Sequence, residues 1–94
     1  MRIDWDDGNW PKCGQHGVSK AEIEAVFASG PSVVEDPAHS KIEERFRAIG
    51  VTPKGRHVFV VFTLRRKEDQ VHYRPISARY MHRDEVEFYE KAGP

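Results

Sequence analysis

The stretch 57-HVFVVFTLRRKEDQVHYRPISA-78 predicts the centre of a β-sheet. Its first seven residues, 57–63, are mostly valine and phenylalanine, which is typical of a strand buried on both faces. The charged residues 65–69 predict a solvated turn, and the alternating run from Val71 to Ala78 predicts a second strand. Because a short turn joins these two strands, we expect them to pair in an antiparallel arrangement.

The segment 43–51, upstream of this hairpin, predicts a third strand with two unlike faces. Its alternation places Glu44, Phe46, Ala48 and Gly50 on one face and Arg45, Arg47 and Ile49 on the other. The residues Pro-Lys-Gly at 53–55 predict the turn into the next strand. Shorter strands are predicted at 3–5 and 32–35.

Helical patterns flank the predicted strands. Ser19 is a suitable N-cap, and Glu22 completes a capping box for a short helix that ends at Gly30-Pro31. A final helix begins near His82, and the glycine-rich segment 8–17 predicts turns with one irregular helical turn. The predicted order is β-α-α-β-β-β-β-α, so we expect an α+β fold with a mainly antiparallel sheet and two or three short helices.

Length and composition predict one small domain spanning residues 1–94. No apolar run approaches the roughly 20 residues that a membrane-spanning helix needs, so no membrane partner is expected. The acidic N-terminus has no apolar segment of the kind found in signal peptides. With a single cysteine, Cys13, no internal disulfide is available, and we expect a cytoplasmic protein.

The net charge of zero conceals a segregation of charge along the chain. Residues 1–40 carry three basic and seven acidic residues, whereas residues 41–83 carry eleven basic and four acidic residues, a net +7. Such a basic segment is a hint of an anionic partner, although strand surfaces are often rich in arginine and lysine without binding anything.

Motifs for metal and nucleotide chemistry are weak or absent. Cys13 and His16 have a spacing found in zinc sites, but no second pair of ligands follows. The carboxylates of Asp4, Asp6 and Asp7 lack the loop that surrounds a bound hard cation. No phosphate-binding glycine loop or nucleophile elbow is present. We therefore predict no metal and no cofactor.

The remaining candidates are basic and aromatic side chains that suit a phosphate. They are Arg45 and Arg47 on one strand, Arg74 and Arg79 on another, Arg83 and His82 at the last helix, and His16 and Tyr80. Arginine forks match phosphate oxygens, and a helix N-terminus adds partial positive charge. RNA cleavage without a metal needs a base for the ribose 2′-OH, cations at the phosphorus and an acid for the leaving 5′-oxygen. The alternative is that Arg45 and Arg79 pair with Glu43, Glu44 or Glu85 in a surface network.

Several short motifs are distributed along the chain. They are Trp5-Asp6, His16-Gly17-Val18-Ser19, Glu44-Arg45-Phe46-Arg47-Ala48-Ile49-Gly50, Ile76-Ser77-Ala78-Arg79, and the series Arg83, Glu85 and Tyr89. Together these motifs resemble the BrnT family of toxins from bacterial type II toxin–antitoxin pairs. The resemblance covers almost the whole chain. It implies a RelE-like fold and a metal-independent endoribonuclease that arrests translation.

The resemblance also implies partners and residue roles. A cognate BrnA-like antitoxin would neutralise the toxin, and operator DNA would be contacted only through the antitoxin. Arg45, Arg79 and Arg83 are expected to hold the phosphate and the transition state, with His16 as general base or acid. Apart from the resemblance, the other members of the basic and aromatic set, Arg47, Arg74, Tyr80 and His82, are expected to bind the substrate. Glu85 caps or pairs, and Tyr89 packs. The alternative is a non-catalytic module that docks a protein or nucleic acid through its basic sheet face.

Overall fold

The computed structural model describes residues 2–37 and 43–92, with only the backbone for Ala92. The helices are α1 (Lys20–Ala28) and α2 (Arg83–Ala92), and the strands are β1 (Ser32–Glu35), β2 (Phe46–Val51), β3 (His57–Lys67) and β4 (Gln70–Tyr80). A 3₁₀-helix spans Lys12–Gly14. The four strands form one antiparallel sheet in the order β1-β2-β3-β4. The α+β prediction is confirmed, and the RelE-like label stays a prediction.

The β3–β4 hairpin is longer than the sequence predicts. Arg65 to Lys67 belong to β3 and pair with β4, so the expected turn at 65–69 is wrong in extent. The turn is made by Glu68 and Asp69 alone, whose φ angles are 51° and 63°. Positive φ at both central residues gives a tight turn that matches strand twist, so the charged residues before it continue the strand with exposed side chains.

The predicted strand at 3–5 is reduced to a single parallel bridge between Ile3 and Tyr73. The amide of Asp4 donates to the Tyr73 carbonyl at 2.7 Å, and the Tyr73 amide donates to the Arg2 carbonyl at 2.9 Å. The segment then turns because the Asp6 carbonyl accepts hydrogen bonds from later amides, which ends the extended conformation. It nevertheless runs alongside β4 at the edge of the sheet.

The first face of the sheet packs against α1 and forms the core. Its buried residues include Ile23 and Val26 of α1 and Val58, Val60 and Phe62 of β3. Gly50 faces α1 so closely that a Cβ there would lie 3.0 Å from Val26 Cγ1. The predicted alternation of β2 is confirmed, because Ala48 and Gly50 are buried on this face.

Helix α1 begins and ends as its sequence predicts. The Glu22 amide donates to Ser19 Oγ at 3.1 Å, and the Ser19 amide donates to Glu22 Oε1 at 3.0 Å, which is a complete capping box. The helix ends before Gly30, whose φ is 73°. Local capping therefore fixes both ends of the element that covers the core.

The second face, called here the open face, carries a row of residues in register across all four strands. The row consists of Ser32, Ile49, Phe59 and Arg79. Helix α2 contacts the two ends of this row, through Glu85 to Arg79 at 2.7 Å and through the Tyr89 hydroxyl to Ser32 Oγ at 2.9 Å. Phe59 is therefore only half-buried, and the expectation that β3 is buried on both faces is wrong at this residue. No helix in the described part of the chain is long and apolar enough to cross a membrane.

Candidate active site

A cleft of about 320 Å³ on the open face brings together three of the four residues predicted to be catalytic. Those three are His16, Arg45 and Arg79. The rest of its lining comes from the central strands β3 and β4, namely Phe59, Val61, Ser77 and Ala78. Two guanidinium groups and an imidazole thus surround a partly apolar floor, an arrangement suited to an anion that also carries an organic ring.

Three separate parts of the fold position Arg79, Arg45 and His16. Arg79 extends from β4, where it is the cross-strand partner of Phe59. Arg45 directly precedes β2, and its carbonyl accepts a hydrogen bond of 2.9 Å from the Asp36 amide. His16 follows the 3₁₀-helix, whose Cys13 is buried in the core. The site therefore depends on contacts between residues far apart in sequence.

Arg79 is held by a bidentate ion pair with Glu85. Its Nη1 and Nη2 donate to the two Glu85 carboxylate oxygens at 2.7 and 2.8 Å, which is the geometry of strong charge-assisted hydrogen bonds. These bonds lower the pKa of Glu85 to about 2, helped by the His82 amide, which donates to the same carboxylate at 2.8 Å. The Arg79 guanidinium also lies 4.8 Å from the centroid of the Phe59 ring. Its orientation is thus fixed from two sides.

The other two arginines of the β2 region have acidic neighbours as well. Arg45 Nη2 lies 3.7 Å from a Glu43 carboxylate oxygen, the pairing expected as the alternative to a catalytic role. Arg47 Nη2 lies 3.2 Å from the buried carboxylate of Asp36, and its guanidinium is 5.5 Å from the Phe59 ring centroid. Arg47 does not line the cleft but stands beside it, at the same phenylalanine.

Arg74 is placed elsewhere by the structure, in a buried ion-pair network, and it does not line the cleft. The residue is only 8% exposed, and its guanidinium donates to Asp4 at 2.9 Å and to Asp6 at 3.0 Å. Burial raises the pKa of Asp4, but hydrogen bonds and charges from Lys67 and Arg74 outweigh that effect and lower it overall. Because the Arg74 side chain is buried between these carboxylates, a phosphate has little access to its guanidinium.

Tyr80 lies on the face of the sheet that packs against α1, away from the cleft. Its hydroxyl donates to the Glu22 carboxylate at 2.8 Å, and this hydrogen bond raises the pKa of the phenol. The Arg56 guanidinium lies 3.5 Å from its ring centroid. Residues 79 and 80 project to opposite faces because they are neighbours on one strand.

His82 and Arg83 mark the start of α2 and do not line the cleft. The side chain of Arg83 is 95% exposed, with its Nε 3.7 Å from Glu87. His82 contributes through its backbone amide, which fixes the Glu85 carboxylate against Arg79. Among the residues predicted for substrate binding, none lines the cleft, and Arg47 is the one that stands next to it.

Phe59 and Ser77 line the cleft but are not among the site residues predicted from the sequence. Their positions follow from the register of the β3–β4 hairpin, in which Phe59 pairs with Arg79 and Val61 pairs with Ser77. That register includes an irregularity between Val61 and Phe62. Recognising a two-residue turn at 68–69 would predict the pairing near that turn. The register shift between Val61 and Phe62 cannot be predicted from the sequence, so the pairs beyond it could not be assigned.

The described residues offer few side chains suited to binding a metal ion. The thiol of Cys13 is buried, and its desolvation raises its pKa to about 11, so the thiolate that binds zinc is disfavoured. Within residues 2–37 and 43–92, no group of three or more histidine, cysteine, aspartate or glutamate side chains is arranged to hold a metal ion.

Comparison with known proteins identifies the family of this chain. No curated protein matches it. A family model described as "Ribonuclease toxin, BrnT, of type II toxin-antitoxin system" matches residues 5–85. The matched region contains the cleft residues and Glu85, and it confirms the resemblance drawn from the short motifs. The chain therefore belongs to the BrnT family, the ribonuclease toxins of type II toxin–antitoxin systems.

Proposed function

We propose that this toxin is a metal-independent endoribonuclease whose active site is the cleft on the open face. The observation that carries the proposal is the convergence of His16, Arg45 and Arg79 on one cleft from three separate parts of the fold. The bidentate pair with Glu85 supports it further, because a fixed guanidinium loses little freedom when it binds a phosphate.

In the proposed reaction, the ribose 2′-oxygen attacks the adjacent phosphorus and the bond to the 5′-oxygen breaks. His16 removes the 2′-OH proton or delivers a proton to the leaving 5′-oxygen, and a solvent water takes up or supplies the other proton. Arg45 and Arg79 stabilise the negative charge that develops on the phosphate oxygens. The products are a 2′,3′-cyclic phosphate and a free 5′-hydroxyl, so no redox partner or external nucleophile is needed.

The family supports a biological role for this activity. Cleavage of RNA in the cytoplasm would arrest translation, and a cognate antitoxin would neutralise the toxin. Operator DNA would be contacted by the antitoxin and not by this chain. Arg83, exposed at the start of α2, remains a candidate for holding a more distant phosphate of the same RNA.

The direct test is cleavage of single-stranded RNA by the purified chain in excess EDTA. Wild-type protein should cleave, and Arg79→Ala should lower the rate constant by about 10²–10³-fold, the effect of removing one transition-state donor. Arg65→Ala is the matched control, since it removes an exposed arginine at the far end of the hairpin. If Arg79→Ala does not fold, the same rate constant is measured for Arg79→Lys, which keeps the charge.

Tight RNA binding without cleavage in EDTA would favour the alternative of a non-catalytic binding module and contradict the proposal. Full activity of a folded Arg79→Ala protein, judged by its thermal unfolding, would remove this arginine from the mechanism. Growth arrest upon expression, relieved by co-expression of the antitoxin, is the expected cellular counterpart.

A further inference from the structure

A groove lies beside the cleft, between helix α2 and the open face of the sheet. Its volume is about 510 Å³, inside the range of about 300–1,000 Å³ typical of sites for small organic groups. Its apolar lining comes from Ile49, Phe59, Met81, Phe88 and Tyr89. We call it the α2 groove. It is roofed by a helix that contacts the sheet mainly at its two ends, so its mouth is open.

The α2 groove and the cleft share Phe59. Two guanidinium groups lie against this ring, Arg79 at 4.8 Å and Arg47 at 5.5 Å from its centroid. Arg79 belongs to the cleft and Arg47 to the groove, so the three residues form a continuous layer from one to the other. A ligand whose phosphate is held in the cleft would place its neighbouring group on this layer.

The charges around the α2 groove select which part of such a ligand enters. Its roof carries the carboxylate of Asp84, which would repel a second phosphate, and that of Glu85, which is already paired with Arg79. Its floor is apolar and aromatic, with guanidinium planes beside it, and unpaired bases of RNA stack on both kinds of surface. A base therefore suits the groove and a phosphate does not.

We propose that the α2 groove binds one unpaired base of single-stranded RNA, stacked on the layer of Phe59, Arg47 and Arg79, next to the nucleotide that is cleaved. This inference rests on the proposed function and adds a base-binding site to it. The groove thereby sets which side of the scissile phosphate must be single-stranded, since a base inside a duplex cannot enter it.

The test uses an RNA of about eight nucleotides, substituted with 2′-fluoro groups so that it cannot be cleaved, with 2-aminopurine placed at each position in turn. In the wild-type protein, stacking should quench the fluorescence at one position. Phe59→Leu should abolish that quenching and weaken binding by about 5- to 150-fold, the expected effect of losing one base–aromatic stack. Phe59→Tyr keeps the ring and should resemble wild type.

A second variant guards against a folding defect in Phe59→Leu. Phe88 is 76% exposed, so Phe88→Ala leaves the core intact and should reduce the same quenching. Absence of quenching at every position, or equal affinity of a folded Phe59→Leu protein, would overturn the inference. So would loss of antitoxin binding in both variants with RNA affinity unchanged, which would make the groove a protein-docking site.

Cleavage of unsubstituted RNA, measured in parallel, tests the proposed endoribonuclease function separately from the base-binding site. Cleavage by the wild-type protein without any quenched position overturns the base site alone. Absence of both cleavage and RNA binding overturns the proposed function together with the base site.

Discussion

Arg74 and Arg79 lie on the same strand, β4, yet their guanidinium groups lie in different environments. The Arg74 guanidinium donates hydrogen bonds to Asp4 and Asp6, which belong to the N-terminal segment beside β4. Arg79 faces the cleft and has one partly exposed partner, Glu85. In the sequence both are arginines in a strand with acidic residues elsewhere, so their environments decide which of them is available to a substrate.

Replacement of Arg74 by methionine should therefore destabilise the protein without a specific effect on RNA binding. Removing Arg74 takes away one of the two cations that pair with the buried carboxylate of Asp4 and leaves only Lys67, at 2.8 Å. We expect Arg74→Met to lower the free energy of unfolding by about 3 kcal/mol, measured by urea denaturation. Arg79→Met, the control, should lower it by about 1 kcal/mol or less. A folded Arg74→Met protein with unchanged stability and weaker RNA binding would contradict this assignment and restore the role predicted from sequence.

Among the elements, those that depend on local interactions are the ones the sequence predicts well. Helix α1 begins and ends where its capping box and Gly30 predict, because these signals act within a few residues. The predicted turn at 65–69 is too long, because Arg65 to Lys67 continue strand β3 beyond the core. Of the residues that line the cleft, the sequence predicts His16, Arg45 and Arg79, whose catalytic roles stay predictions, whereas Phe59 requires the strand register that tertiary packing sets.

Helix α2 provides a prediction about pH, because Glu85 links it to β4 through Arg79. The folded-state pKa of Glu85 is about 2, below its ordinary value of 4.5. A carboxyl whose pKa is lowered by folding contributes stability above its unfolded pKa and loses that contribution as the pH falls through the folded value. The contribution of Glu85 is thus complete above about pH 4.5 and disappears towards pH 2.

Glu85→Gln should consequently lower the melting temperature at pH 7 and approach wild type as the pH falls from 4.5 towards 2. The pair is about one-third exposed, so solvent screening limits its contribution to about 1 kcal/mol, or roughly 4–8 °C for a domain of this size. Glu90→Gln, an exposed position on the same helix, should leave the melting temperature nearly unchanged at every pH. A Glu85→Gln difference that stays constant across this range would mean that the ion pair does not hold α2 in place.

For the whole molecule, the segregation of charge along the sequence is partly offset by ion pairs within the fold. Acidic residues of the N-terminal part pair with basic residues of the strands: Asp4 with Lys67 and Arg74, and Asp36 with Arg47. These three basic residues, out of the eleven in segment 41–83, are thus paired with N-terminal carboxylates before any nucleic acid binds. A sequence-level net charge of +7 for residues 41–83 therefore overstates the surface available to RNA.

The salt dependence of RNA binding measures how much of that basic segment contacts phosphate. Each phosphate contact with single-stranded nucleic acid contributes a slope of about −0.7 to log K against log salt. Two contacts, from Arg45 and Arg79, give about −1.4, and eleven basic residues would give about −8. Fluorescence anisotropy of the 2′-fluoro RNA between about 50 and 200 mM salt should thus yield a slope from about −1 to −2. Arg45→Ala should make it shallower by about 0.7, with Arg65→Ala as the control that leaves it unchanged. A slope steeper than about −5 would show that RNA displaces the internal acidic partners, and that the fold does not confine phosphate binding to the cleft.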